Sequence, residues 1–198
     1  MITVLYLFLV TGCHKSNTKN NGQDTYDTYC SLCHGILGEG YLAPQANALG
    51  NPEFLSAATD DFIEFATIYG RPGTKMSAWG TQAEGPIDER DIIDVVAYIR
   101  SWETLPTADI HEDIILGSKE NGALLYQQYC QSCHGTQGEG ASALSLNNPT
   151  FLETASDGFL LHAITEGRSN TSMMSYSEIL LEGEMHDIVA FIRSWEEG

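Results

Sequence analysis

Apolar residues spaced three and four apart mark several short helical stretches along this chain, and the stretches come in matched pairs. Ile92, Val95, Ile99 and Trp102 share one helix face, as do Met185, Ile188, Ile192 and Trp195, and such a face must pack on something. Asp88 is placed to cap the first of these. A shorter stripe of Phe62, Phe65, Ala66 and Tyr69 follows Thr59, matched by Phe159, Ala163 and Ile164 after Ser156. Either hydroxyl can accept a free backbone N–H of the first turn. A further helix is predicted near residues 23–34 and again near 119–134. Each half of the chain therefore reads as three helices joined by long loops, an all-α architecture.

The pairing extends beyond hydrophobic pattern to identity. Cys30-Ser31-Leu32-Cys33-His34-Gly35 recurs as Cys130-Gln131-Ser132-Cys133-His134-Gly135, each followed by Gly-Glu-Gly, and Gly22 and Tyr26 match Gly122 and Tyr126. Asn51-Pro52 and Phe54 match Asn148-Pro149 and Phe151 at an offset of 97 in place of 100, so the second copy is three residues shorter in the loop between. The run from Asp94 to Glu103 matches that from Asp187 to Glu196. Self-similarity of this extent is a duplication. It divides the chain into a first domain at 22–104, a linker at 105–118 carrying Pro106, and a second domain at 119–198. Ile114, Ile115 and Leu116 are expected to dock between the domains.

Ahead of the repeats, Met1 leads into an apolar run from Ile2 to Val10, too short for the ~20 residues that span a bilayer as a helix. Its length suits the apolar region of an export signal, assigned to residues 1–12. Val10-Thr11-Gly12-Cys13 resembles a bacterial lipobox, which would leave Cys13 to carry lipid and tie the protein to a membrane facing the periplasm or the outside of the cell. A signal without lipid, or a free thiol at Cys13, stands beside that reading, since no Lys or Arg precedes the apolar run. Residues 13–21, polar beyond Cys13, are expected to form a flexible tether.

A formal charge of -18, from 9 basic and 27 acidic residues, repels phosphate backbones and argues against nucleic-acid binding. It suits a basic protein partner, and equally a plain solvated acidic surface. Domains of about 80 residues have little interior and commonly need an internal prop.

Cys-x-x-Cys-His supplies such a prop, being the attachment signature of c-type haem. Two thiols three residues apart reach the two vinyl groups on one porphyrin edge, and the adjacent histidine reaches the iron. The competing reading is a zinc site built from Cys30, Cys33, Cys130 and Cys133, which would explain neither histidine. A sixth iron ligand is sought at matched positions: Gly70-Arg71 leads to Met76 and Trp79, and Gly167-Arg168 leads to Met173 and Tyr176 with the same spacing. Methionine sulfur raises the reduction potential relative to a second histidine. Met174 is adjacent and competes with Met173. Arg71 and Arg168 are candidates for pairing with haem propionates, or for ordinary surface arginines.

On these motifs each unit resembles a class I cytochrome c domain, and the whole resembles the tandem dihaem cytochromes c. The resemblance covers about residues 22–103 and 119–196. It implies a helical wrap around each of two haem c groups, with first and last helices crossing near Tyr98 and Phe191. It further implies thioether attachment at Cys30, Cys33, Cys130 and Cys133, with His34 and Met76, then His134 and Met173, on iron. The chain departs from the family in two places. Ser77 and Met174 stand where proline commonly follows the ligand methionine, which predicts a looser loop. Pro44 can offer its carbonyl to His34, whereas the second unit has no such proline and needs another backbone group. The implied function is one-electron relay between redox proteins at the cell envelope, without catalysis. The alternatives are a dihaem enzyme with an exchangeable ligand on the second haem, and a subunit fixed in a respiratory or photosynthetic complex.

Overall fold

The computed structural model describes residues 18–43, 45–111 and 114–197, and in it the two halves of the chain repeat one helical plan. The first half contains α1 (Thr18–Tyr29), the single turn α2 (Ser31–His34), α3 (Pro52–Ala57), α4 (Asp60–Tyr69) and α5 (Glu89–Arg100). The second contains α6 (Lys119–Tyr129), α7 (Gln131–His134), α8 (Pro149–Thr154), α9 (Asp157–Glu166) and α10 (Glu182–Arg193). Among the described residues the only β pairing is an isolated bridge between Gly80 and Ile87. No helix there is long and apolar enough to cross a membrane. The export signal and Cys13 lie outside the described residues. Residues 18–21, expected in the tether, are helical and carry α1 past the crossing point at Gly22.

That crossing organises each half. A Cβ on Gly22 would come within 2.0 Å of the Asp94 carbonyl oxygen, and one on Gly122 within 1.9 Å of that of Asp187. Only glycine lets α1 meet α5, and α6 meet α10, at this backbone distance. Tyr98 and Phe191 flank the crossings as expected, their rings 5.7 Å from Tyr26 and 5.4 Å from Tyr126. Ile92, Val95 and Ile99 are buried beneath one crossing, Met185, Ile188 and Ile192 beneath the other. Asp88 caps α5, accepting from the Asp91 N–H at 2.9 Å.

Two elements differ from expectation. The three-helix plan lacks α3 and α8, six residues each, which are too short to display a helical period. Their signal was the Asn-Pro pair: the side chains of Asn51 and Asn148 accept from Phe54 and Phe151 N–H groups, with proline at the first helical position. In α4 the buried stripe is Phe62, Ile63, Thr67 and Ile68, while Tyr69 is exposed. The stripe is rotated relative to the predicted one because Phe62 and Ile63 both turn toward the core, as Phe159 and Leu160 do in α9. Arg100 and Arg193 then pin the last helix of each half to the corner before α4 or α9. Arg100 donates to the carbonyls of Leu55 (2.6 Å) and Ala58 and pairs with Asp60, and Arg193 does the same with Leu152 (2.8 Å), Ala155 and Asp157.

The halves meet through α3, α4, α8 and α9 across an approximate two-fold relation. Phe62 stacks 4.9 Å from Phe159 and 6.0 Å from Phe151, and Phe54 lies 6.3 Å from Phe159. Asn51 donates to the Ser169 carbonyl at 2.9 Å, and Asn148 to the equivalent Pro72 carbonyl at 2.8 Å. The linker touches both halves, the Ala108 N–H donating to the Ser56 carbonyl of α3 at 2.8 Å and Ile110 lying against Gly158 of α9. Ile115 packs on the core, its N–H donating to Asp157 at 2.7 Å, while Ile114 and Leu116 are exposed, contrary to their expected docking between domains.

Candidate haem-binding site

α1 stops at Tyr29 and the chain re-forms one turn around the Cys-x-x-Cys-His motif. Cys30 N–H still reaches the Tyr26 carbonyl at 2.8 Å, and Cys33 and His34 N–H groups both donate to the Cys30 carbonyl at 3.1 and 3.0 Å. The same bonds recur from Cys130 to His134. Gly35 (φ 87°) and Gly135 (φ 86°) then turn the chain in the left-handed region, and the buried Tyr26 and Tyr126 hydroxyls each donate to that glycine's carbonyl at 2.8 Å.

His34 and His134 are buried. Their Nδ1 atoms lie 2.8 Å from the Asn47 carbonyl and 3.0 Å from the Leu144 carbonyl. A carbonyl can only accept, so Nδ1 carries the proton and Nε2 keeps its lone pair, as an iron-ligating imidazole requires. Burial, partly offset by this hydrogen bond, lowers both histidine pKa values and keeps the rings neutral. Asn47 and Leu144 are equivalent at the offset of 97. The expected role of Pro44, which lies outside the described residues, falls to Asn47 in the first unit, and no proline is needed in either. Burial also pushes the Cys30 and Cys130 thiols up to about 12, so they are neutral sulfurs in an apolar wall.

Met76 and Met173 sit in identical loops after α4 and α9. Gly70 (φ 64°) and Gly167 (φ 69°) end those helices, and the Arg71 and Arg168 N–H groups close each loop on the Met76 and Met173 carbonyls at 2.8 Å. Thr74 and Thr171 hydroxyls accept from the methionine N–H groups at 3.1 Å and donate to the arginine carbonyls at 2.7 and 2.8 Å. The loops are thus braced by threonine where proline is lacking, against the looser loop expected from sequence. Met173 lines the cavity, and Met174 is 56% exposed.

Both motifs and both methionine loops border one continuous cavity of about 630 Å³, predominantly apolar, that runs through both halves. Cys30, Cys33, His34 and Met76 line it from the first unit, and Cys130, Cys133, His134 and Met173 from the second. No group of three or more His, Cys, Asp or Glu gathers as a metal cluster among the described residues, which removes the four-cysteine zinc reading. Two side chains that sequence left undecided are also in the lining. Arg168 is buried and Arg71 largely so, each held over phenylalanine: Arg71 is 5.4 Å from the Phe62 ring and 5.6 Å from Phe151, and Arg168 is 5.7 Å from Phe159. Burial pulls both guanidinium pKa values down to about 10. Arg71 Nη1 is buried without a hydrogen-bond partner. A buried guanidinium N–H directed at an apolar cavity is suited to an anionic group, so the donor set fits haem with its propionates.

A family model described as cytochrome c oxidase, cbb3-type, subunit III matches residues 12–99 and again 117–192. The chain belongs to this family. It is a tandem of two cytochrome c domains carrying two covalently bound haem c groups. The Cbb3-type cytochrome c oxidase subunit FixP of Bradyrhizobium sp. (strain ORS 278) is 27% identical over 75% of this chain and 51% of its own length. The cytochrome bc1 complex cytochrome c subunit of Corynebacterium efficiens is 24% identical over 89% of this chain and 62% of its own length. The chain thus spans half to two thirds of the length of these curated relatives. Among solved structures, a chain of the Kuenenia stuttgartiensis reducing HAO-like protein complex matches with TM-score 0.55 and 21% identity, covering 89% of this chain and 96% of its own, a likeness of fold.

Proposed function

We propose that this cytochrome relays single electrons between redox partners outside the cytoplasmic membrane. In this reading His34 and Met76 hold one iron, His134 and Met173 the other, and Cys30, Cys33, Cys130 and Cys133 form the thioethers. One observation carries it: a single apolar cavity is lined by both Cys-x-x-Cys-His turns and both methionines. Haem supplies a one-electron iron couple.

The chain's own groups do the rest. The Asn47 and Leu144 carbonyls fix the histidine tautomers, the braced loops hold the Met76 and Met173 sulfurs in the cavity wall, and the phenylalanines of the interface exclude water between the halves. Arg71 and Arg168 offer charge-assisted hydrogen bonds to propionates. With His34 and Met76, and His134 and Met173, as the residues that would hold the two irons, no position would be left for substrate, which favours a carrier over an enzyme. Met173 lines the cavity while Met174 is exposed, which favours the former as ligand. Cys13, behind the apolar run, is read as the lipid anchor left after removal of residues 1–12. The relatives named as subunits of cbb3 oxidase and bc1 complexes support a second reading, a subunit held permanently in such an assembly.

Reduced-minus-oxidised spectra with a pyridine haemochrome assay test the first reading: two c-type haems per chain, low spin, with the near-infrared methionine-to-iron band lost in stages in Met76→Ala and Met173→Ala. One haem, or a band insensitive to either change, overturns it. Sizing of detergent-extracted native protein distinguishes a free carrier from a fixed subunit.

A further inference from the structure

We infer that the first repeat, and not the second, presents the docking face for a basic redox protein, on the loop that carries Cys30 to His34. The inference rests on the electron-transfer reading above and assigns it a port. Leu32, Ile36, Leu37 and Leu42 are 85%, 69%, 59% and 66% exposed. Leu32 lies in α2 and the other three in the segment that follows, which folds back on α2, since the Gly40 N–H donates to the His34 carbonyl at 2.7 Å and the Ala43 N–H to the Cys33 carbonyl at 3.2 Å. A lone exposed leucine is ordinary, whereas four large exposed apolar side chains on α2 and the loop folded back against it mark a contact surface.

The second repeat supplies the control. Its backbone closes the same loop, Gly140 to His134 at 2.7 Å and Ala143 to Cys133 at 2.9 Å, yet the equivalent positions are Ser132, Thr136, Gln137 and Ser142. The loop fold therefore does not require apolar residues, and something outside the loop must account for them in the first repeat. Exposed Asp24, Asp27 and Glu39 lie on α1 and on the same loop, within a chain of net charge -18. A second copy of the chain would bring the same charge, and an anionic membrane surface likewise. A basic protein is complementary, and steering of this kind raises the rate of encounter. The exchange is one electron: the donor's metal centre is oxidised by one unit as the acceptor's is reduced, with no bond made or broken.

The probe is a basic mitochondrial-type cytochrome c, mixed with the holoprotein in a stopped-flow experiment across a range of salt. The variant Leu32→Ser/Ile36→Thr/Leu37→Gln/Leu42→Ser installs the residues that the second repeat carries, and Leu32→Ser/Ile36→Thr gives a milder step should the full set fold poorly. The expected result is a wild-type second-order rate that falls as salt rises, reduced about tenfold in the full variant and less in the partial one, with spectra and potentials unchanged. The reciprocal variant Ser132→Leu/Thr136→Ile/Gln137→Leu/Ser142→Leu leaves the rate within about twofold. A rate unaffected by the first-repeat variants, or sensitivity to the second-repeat set alone, overturns the inference, as does faster reaction with an acidic cytochrome probe. So does a wild-type dimer in analytical ultracentrifugation, or cosedimentation with phosphatidylcholine vesicles, that the variant abolishes. If the wild type holds no haem c, the electron-transfer reading itself has failed; if haem is present and the variants are silent, only the port has.

Discussion

At their helix crossings the two repeats are interchangeable, and around the cavity they are not. Gly22 and Gly122, Tyr26 and Tyr126, and Arg100 and Arg193 make the same contacts in each half. The buried arginines differ. Arg168 has Glu53 and Tyr41 of the first half near its charge, but the positions equivalent to these are Thr150 and Ala141, so Arg71 has neither and keeps an unpartnered Nη1. Duplication has preserved the helix crossings, and divergence has gathered in the charges near the cavity and in the exposed side chains of α2 and the loop after it. Those are the features that set potentials and partners.

The largest predicted effect tests whether the halves are equivalent in needing their cofactor. Cys30→Ser/Cys33→Ser and Cys130→Ser/Cys133→Ser should each lower the pyridine haemochrome from two haems to one per chain and unfold much of the affected half, seen as lost helical circular dichroism. Each half alone has a small interior, and a variant that melts cooperatively with undiminished helix would contradict this. Next come the crossings. Gly22→Ala and Gly122→Ala each force a Cβ against a carbonyl at about 2 Å and should cost about 3 kcal/mol in denaturant unfolding of the holoprotein. Markedly unequal costs would break the symmetry claimed for the framework.

What could be read from the sequence tracks what duplication displays twice. The all-α class, the two units, the α5 and α10 faces and the matched methionine loops that bring Met76 and Met173 to the cavity wall were legible because identical spacing in two copies separates signal from coincidence. The six-residue helices α3 and α8 were hidden by their length, although the Asn-Pro pairs marked their caps. The rotation of the α4 stripe was hidden because Phe65 and Tyr69 look as apolar as Ile63 and Ile68, and tertiary packing, such as that of Ile68 beside Gly80, decides which of them is buried. Arg71 and Arg168 could not be assigned in sequence, since Arg71 is held over one phenylalanine from each half, and Arg168 over Phe159 near Glu53 and Tyr41 of the other half, neighbours that only the interface brings together.

That interface makes the arginines the next point at which the repeats should part. Removing a buried positive charge beside a haem stabilises the ferric state and lowers its potential. Arg71→Leu should lower one midpoint potential by on the order of 60 mV, a tenfold change for a one-electron couple. Arg168→Leu should lower the other by less, because Glu53 already offsets its charge. Spectroelectrochemical titration reads both, and equal shifts would remove the asymmetry.

The smallest effect concerns Glu53, whose carboxylate spans the halves by accepting from the Ser169 N–H at 3.0 Å and hydroxyl at 2.9 Å. Burial acts to raise its pKa, but hydrogen bonds from Ser169 and Asn51, with its own N–H, outweigh that and hold it below the usual carboxylate value. A depressed value means the folded protein binds its proton less readily than the unfolded chain. The contribution is therefore complete above the unfolded value of about 4.3 and is lost as pH falls through the lower folded value. Thr150, at the equivalent place in the second repeat, has no proton to gain. Wild-type protein should lose about 1–2 °C of melting temperature relative to Glu53→Gln as pH is taken from 6 to 3, in keeping with a partly exposed contact. Parallel pH profiles for the two proteins would mean that the carboxylate, though placed across the interface, does not help to hold it closed.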